Sequence, residues 1–127
     1  MIQVQTLLKV ADNSGGKIVR CLKILKKGTK PRYGKIGDVI VVSVQKIRSK
    51  NKLTSKVKKG DVLYAVIIKT KTGLNRKLGL SYSFNENSVV LLNKQLKPLA
   101  SRVLGLVPRE LRNEKFSKII SLSSGTI

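Results

Sequence analysis

Lys35-Ile36-Gly37-Asp38-Val39-Ile40 is echoed by Lys58-Lys59-Gly60-Asp61-Val62-Leu63, and this doubled pattern decides the fold class. In each copy a Gly-Asp turn signal leads the chain straight into an apolar, β-branched run. The runs Val39 to Gln45 and Val62 to Lys69 read as strands. The echo indicates two similar barrel corners. Six residues are too few to argue a duplication.

Upstream, Thr6 to Ala11 and Lys17 to Leu25 read as strands around the turn cluster Asp12-Asn13-Ser14-Gly15-Gly16, a hairpin with a longer loop. Downstream, Lys71 to Gly79 is a basic connection. Tyr82 to Phe84 and Val89 to Leu92 are short strands flanking the turn signal Asn85-Glu86-Asn87-Ser88, and Val103 to Val107 is another strand, ending at Pro108. Helical signal is confined to the end. Arg109 to Phe116 is expected to form a helix with Leu111 and Phe116 facing the barrel and Glu110 and Glu114 on a polar face, followed by a second short turn over Ser117 to Leu122. Many short strands, Gly-rich turns and late helices predict a mainly β protein, a small and partly open barrel. Its 127 residues fit a single domain spanning 1–127.

Charge dominates the composition: 27 Lys and Arg stand against 6 Asp and Glu, a net +21. Self-repulsion of that size destabilises a compact state unless a polyanion neutralises it. The cations recur from Lys9 to Lys118 between apolar runs, which describes a folded basic surface rather than a disordered tail. The longest apolar runs, Val39-Ile40-Val41-Val42 and Ala65-Val66-Ile67-Ile68, fall far short of the roughly 20 residues of a spanning helix, so no membrane is expected. Met1 to Thr6 carries neither signal-peptide nor transit-peptide features, so the protein is expected to work where it is made. With one cysteine, Cys21, and no histidine, neither an internal disulfide nor the usual zinc site can be assembled; Cys21 reads as a buried structural thiol. No phosphate loop, nucleophile elbow or carboxylate pair near a histidine is present, so no enzyme activity, cofactor, metal or small-molecule substrate is expected.

Three basic stretches are candidates for RNA. Lys46, Arg48, Lys50, Lys52, Lys56, Lys58 and Lys59 follow one another with no acid between, and Val44, Ile47, Leu53 and Val57 could order this arm as a β-ribbon. Lys26, Lys27, Lys30, Arg32 and Lys35 surround a loop in which Tyr33 could stack on a base or pin the loop to the barrel, the packing role being favoured. Arg76 and Lys77 lie in the third, and Lys17 and Arg20 on the second strand complete the expected set. Aromatic residues make up only 4% of the chain, which leaves few rings for stacking on single strands and favours recognition of folded RNA by shape and phosphate position.

Read together, the motifs closely resemble the universal large-subunit ribosomal protein family numbered fourteen. They run in order from Met1-Ile2-Gln3-Val4-Gln5-Thr6 and Val10-Ala11-Asp12-Asn13-Ser14-Gly15, through Cys21-Leu22-Lys23, Arg32-Tyr33, Gly37-Asp38-Val39-Ile40 and Val57 to Leu63, to Thr70-Lys71-Thr72-Gly73. The end is the strongest part: Arg109-Glu110-Leu111-Arg112, Glu114-Lys115-Phe116 and Lys118-Ile119-Ile120-Ser121-Leu122. The resemblance implies a five-stranded β-barrel with a projecting β-ribbon and small C-terminal helices. It implies binding of large-subunit ribosomal RNA, contact with neighbouring large-subunit proteins, and a contact with small-subunit ribosomal RNA at the subunit interface. By position, Ser101, Arg102, Lys118 and Ser121 fall on the stretch turned toward the small subunit; a Thr is usual where Ser101 stands. Departures are the long stretch Arg48 to Ser55, the missing Asp-Gly near Asn85-Glu86-Asn87, and the tail Ser123-Ser124-Gly125-Thr126-Ile127. Abundant Lys and Ile with few Ala suggest an AT-rich genome. An organelle-encoded mitochondrial protein fits first, a protein of the bacterial cytoplasm second. Competing readings are a free RNA-binding translation factor and a DNA-compacting nucleoid protein.

Overall fold

The computed structural model describes residues 2–25, 33–49, 55–112 and 116–127. Five strands form the barrel: β1 (Leu7–Val10), β2 (Gly16–Leu25), β3 (Val39–Ile47), β4 (Val62–Lys69) and β7 (Ser88–Leu92). They pair antiparallel in the order β1-β2-β3-β4-β7, and a parallel β1–β7 pairing closes the ring, so the barrel is closed rather than partly open. Short pairs lie outside it: β5 (Leu74–Asn75) with β6 (Ser81–Tyr82), and β8 (Leu106–Val107) with β9 (Gly125–Thr126).

The Gly-Asp echo becomes two equivalent corners. In each, the Asp N–H donates to the carbonyl three residues back, Lys35 or Lys58, and the Asp carboxylate accepts from that residue's N–H at 2.7 and 2.9 Å. Each glycine stands at φ +91°. Each corner then hooks the neighbouring strand in the same way. Gly37 donates to Ile67 O and Ile67 to Asp38 O; Gly60 donates to Val44 O and Val44 to Asp61 O.

Two apolar clusters hold the fold. Inside the barrel, Leu8, Val10, Val19, Cys21, Ile40, Val42, Val44, Ala65, Ile67, Val89 and Leu91 pack together, all nearly solvent-free. Burial pushes the Cys21 thiol above its ordinary pKa. The second cluster lies on the outer face of β4 and β7, where Val66, Ile68, Val90 and Leu92 are covered by Val103, Val107, Leu111, Phe116 and Ile119. This double burial explains why β7 is apolar without alternation.

Three further sequence expectations are corrected. The helix predicted over Arg109–Phe116 is only a 3-10 turn, Arg109–Arg112, while the α-helix, α1, occupies Ser117–Leu122. Leu111 and Phe116 nevertheless face the barrel, as that reading expected. The strand expected over Val103–Val107 is split: Val103 bridges to Asp12, and Leu106–Val107 pairs with the tail. Finally, the segment Lys46–Lys59 is no ribbon among the described residues. Lys46 and Ile47 extend β3 against β2, and Val57 is buried in the barrel core. The two-stranded ribbon is β5–β6, and Leu53 lies outside the described residues.

Candidate nucleic-acid interface

Side chains of directly paired residues point to the same side of a sheet. Following the pairing around the barrel gives one continuous outer row: Lys69–Ser88, Ser88–Lys9, Lys9–Ile18, Ile18–Lys46. A lysine stands on every second strand. With strands about 4.8 Å apart, the lysine positions are about 10 Å from one another.

Simple alternation would not produce this row. Ile40, Val42 and Val44 point inward, so Lys46 should too. Between Val44 and Lys46, however, the register slips: Val44 pairs with Val19 and Lys46 with Ile18, which leaves Gln45 as an extra residue on β3. That bulge turns Lys46 outward. The same device acts on β4. Ile67 pairs with Val89 and Lys69 with Ser88, so Ile68 is the extra residue and Lys69 faces out. A third slip, at Lys17, lies next to the Lys46 slip on the same β2–β3 pair.

The row lines an open groove of about 990 Å³, whose charged wall residues are Lys9, Lys17, Lys46, Arg48, Lys59, Lys69 and Glu86. Leu104 and Gly105 also line it. Arg48 is fixed by donating from Nη2 to Val10 O at 3.1 Å. Glu86 accepts from Lys9 Nζ at 2.7 Å, which holds its carboxyl below the ordinary Glu range. Six cations against one carboxylate give the groove a strongly positive field.

Of the expected RNA-binding residues, the groove brings together Lys17, Lys46, Arg48 and Lys59. Arg20 is exposed on β2; Lys35 and Lys58 are exposed at the two corners. Lys56 donates to Leu99 O at 2.9 Å. Lys77 is exposed in the β5–β6 connection. Arg76 is engaged internally. Its guanidinium meets Glu110 at 2.7 Å, caps Ile127 O at 2.6 Å and lies over the Tyr82 ring, while the Tyr82 hydroxyl donates to Glu110 at 2.9 Å. Burial and the Glu110 carboxylate push the Tyr82 hydroxyl up to about 12. Lys26, Lys27, Lys30, Arg32, Lys50 and Lys52 lie outside the described residues, and Tyr33 is half-exposed.

Sequence reading missed Lys9 and Lys69. The alternation Leu8-Lys9-Val10 marks Lys9 as outward and could have revealed it. Nothing in the sequence marks the bulge that turns Lys69.

Reading took the loop Asp12–Gly15 for a turn alone and missed that it ties the groove to the second expected surface. Asp12 is fully buried; its carboxylate accepts from Leu91 N at 3.0 Å, Ser14 N at 3.1 Å and Ser14 Oγ. Burial raises its pKa, opposed by Ser14, the Leu91 N–H and Arg48. Ser14 O and Gly15 O accept from the N–H groups of Lys56 and Arg48. On the other side Asn13 clamps the strip 101–102: its N–H donates to Arg102 O at 3.2 Å, Oδ1 accepts from Arg102 N at 3.1 Å, and Nδ2 donates to Ser101 Oγ at 3.1 Å. Val103 N donates to Leu122 O at 3.2 Å, which sets this strip beside α1. The four residues expected at a subunit contact, Ser101, Arg102, Lys118 and Ser121, are all exposed on these two adjoining segments.

Among the described residues no three His, Cys, Asp or Glu side chains gather where they could hold a metal ion, and no helix is long and apolar enough to cross a membrane. The sequence profile of the family described as ribosomal protein L14p/L23e matches residues 1–127. The chain is 53% identical over 127 residues, the full length of both proteins, to the large ribosomal subunit protein uL14 of the bacterium Carsonella ruddii (strain PV).

Proposed function

The chain belongs to the ribosomal protein L14p/L23e family, structural constituents of the large ribosomal subunit rather than enzymes, and from that membership we propose that its groove binds folded large-subunit ribosomal RNA. Its place is the ribosome. The mitochondrial expectation finds no support, since the relative is bacterial, which fits the alternative of a bacterial cytoplasm. We also take residues 1–127 to act as one domain, because both apolar clusters draw on β4.

The observation that carries the reading is the lysine row Lys69, Lys9, Lys46, which two bulges build on the barrel's outer wall. Lysines about 10 Å apart on a rigid sheet match a rigid array of phosphates better than a flexible strand. Lys17, Arg48 and Lys59 extend the groove, and the expected cations Arg20, Lys35, Lys56, Lys58 and Lys77 are exposed elsewhere on the described surface. Lys26, Lys27, Lys30, Arg32, Lys50 and Lys52 complete the proposed RNA set. Arg76 serves this surface indirectly, by fixing the β5–β6 ribbon through Glu110. The strip Ser101, Arg102, Lys118 and Ser121 is proposed to meet small-subunit ribosomal RNA, with neighbouring large-subunit proteins on other faces.

Gradient-purified large subunits test the assignment. The protein should be present in them, shown by mass spectrometry, and should persist through a wash in moderate salt. Release at moderate salt would favour the free translation factor. Recovery with bulk duplex DNA instead of large-subunit RNA would favour the nucleoid protein.

A further inference from the structure

Five of the six acids of this chain are accounted for or lie outside the described residues. Asp38 and Asp61 close the two corners, Asp12 holds the buried loop, Glu110 ties Arg76 to Tyr82, and Glu114 is not described. Glu86 differs. It lines the cationic groove, its side chain is 41% exposed, and its ion-pair partner Lys9 is 65% exposed. So exposed a pair contributes little to stability. A carboxylate set among phosphate-binding lysines also repels the polyanion those lysines attract. Toward the polyanion it becomes favourable when the ligand brings it a further hydrogen-bond donor, beside those of Lys9 and Ser88.

Lysine ammonium groups read phosphates alike in RNA and DNA. A-form RNA differs by displaying the ribose 2′-hydroxyl, a donor, across its wide shallow minor groove. Resting on the reading of the groove as an RNA site, we infer that Glu86 accepts a hydrogen bond from a ribose 2′-hydroxyl there and gives the groove its preference for RNA. The position suits the role. Glu86 lies beside Ser88 and Lys9, in the middle of the lysine row, so a phosphate on Lys9 brings its own or the adjoining sugar toward the carboxylate. The Lys9 pairing keeps Glu86 ionised and therefore an acceptor at neutral pH.

The test compares a synthetic A-form RNA duplex with its fully 2′-O-methylated counterpart, which keeps the geometry and the phosphates but lacks the donor. Affinities are measured in moderate salt for the full chain and for Glu86→Ala, Glu86→Gln and Lys59→Ala. The unaltered protein should prefer the hydroxyl-bearing duplex by about tenfold, the value of one hydrogen bond to a charged acceptor. Glu86→Ala should lose that preference, binding the hydroxyl-bearing duplex less well because its hydrogen bond is gone and the methylated duplex at least as well because a repelling charge is gone. Glu86→Gln, which keeps an acceptor oxygen, should retain part of it. Lys59→Ala should weaken both duplexes equally. Equal binding of the two duplexes by the unaltered protein, or an undiminished preference in Glu86→Ala, overturns the role of Glu86 but leaves the RNA groove standing. Failure to bind either duplex overturns both readings.

Discussion

Gly15→Ala probes the loop on which both proposed surfaces depend. Gly15 has φ +104°, and a Cβ built on it would stand 2.3 Å from Ser55 Cβ and 2.9 Å from Ser55 Cα. A residue with a side chain pays about 1–2 kcal/mol for left-handed backbone. Forced overpacking adds about 1–3 kcal/mol. The segment that must yield is held by Lys56 N to Ser14 O and Arg48 N to Gly15 O, both at 2.9 Å, so relief of the clash breaks hydrogen bonds. The expected loss is about 2–5 kcal/mol, read from urea unfolding curves with an unchanged slope. The partner substitution sharpens the test. Ser55→Gly removes the nearest clashing atom but not the Cα or the φ strain. In the double variant it should recover part of the loss, with a coupling of about 1 kcal/mol or more. A loss under about 1 kcal/mol for Gly15→Ala, or strictly additive effects, would refute the argument that this loop and Ser55 are packed against each other.

Phe116→Ala should cost about 3–5 kcal/mol and impair incorporation into subunits, because Phe116 is buried between the outer barrel wall and α1; unfolding curves near those of the unaltered protein would contradict its anchoring role. Burial raises the Glu110 pKa, but the Arg76 guanidinium, its own backbone N–H and the Tyr82 hydroxyl outweigh that and leave it below the ordinary 4.5. A depressed folded-state pKa adds stability above 4.5 that disappears as pH falls through the folded value. The stability gap between the unaltered protein and Glu110→Gln should therefore close on acidification below 4.5, and a gap independent of pH would show that the ion pair does not titrate as described. Asp12, with its pKa raised, has the opposite sign, but that contribution is common to both proteins and cancels in the difference. Arg102→Glu with Lys118→Glu should leave the fold nearly unchanged and enter large subunits, yet weaken their joining to small subunits. Normal joining with full incorporation would show that this strip is no subunit contact.

Much of the barrel was legible because its signals are local. Alternation in Val19-Arg20-Cys21, the two Gly-Asp corners and the turn cluster at Asp12–Gly16 each follow from neighbouring residues, and the structure places them as read. Closure was not legible, since the parallel β1–β7 pairing joins segments remote in sequence. Nor were the bulges. Parity alone sends Lys46 and Lys69 into the core, and only the register with β2 and β7 turns them out. Val57 misled for a related reason: an apolar residue in a basic run reads as ribbon packing, whereas the chain returns there to fill the barrel. Charge density drew attention to Lys46–Lys59 and away from Lys9, a solitary cation whose importance comes from its place in the row. The clamp by Asn13 was invisible because its partners are nearly ninety residues away.

The central claim is that the lysine row holds RNA phosphates, and the salt dependence of binding tests it most directly. Lys9→Gln, Lys46→Gln and Lys69→Gln should be combined in one variant, its folding checked by urea unfolding, and its affinity for large-subunit ribosomal RNA measured across a range of salt. Each lost phosphate contact lowers the slope of log affinity against log salt by about 0.7–0.9, so the triple variant should fall short of the unaltered protein by about 2–3. A folded triple variant with the same slope as the unaltered protein would contradict the account, because the row would then carry no phosphate contact.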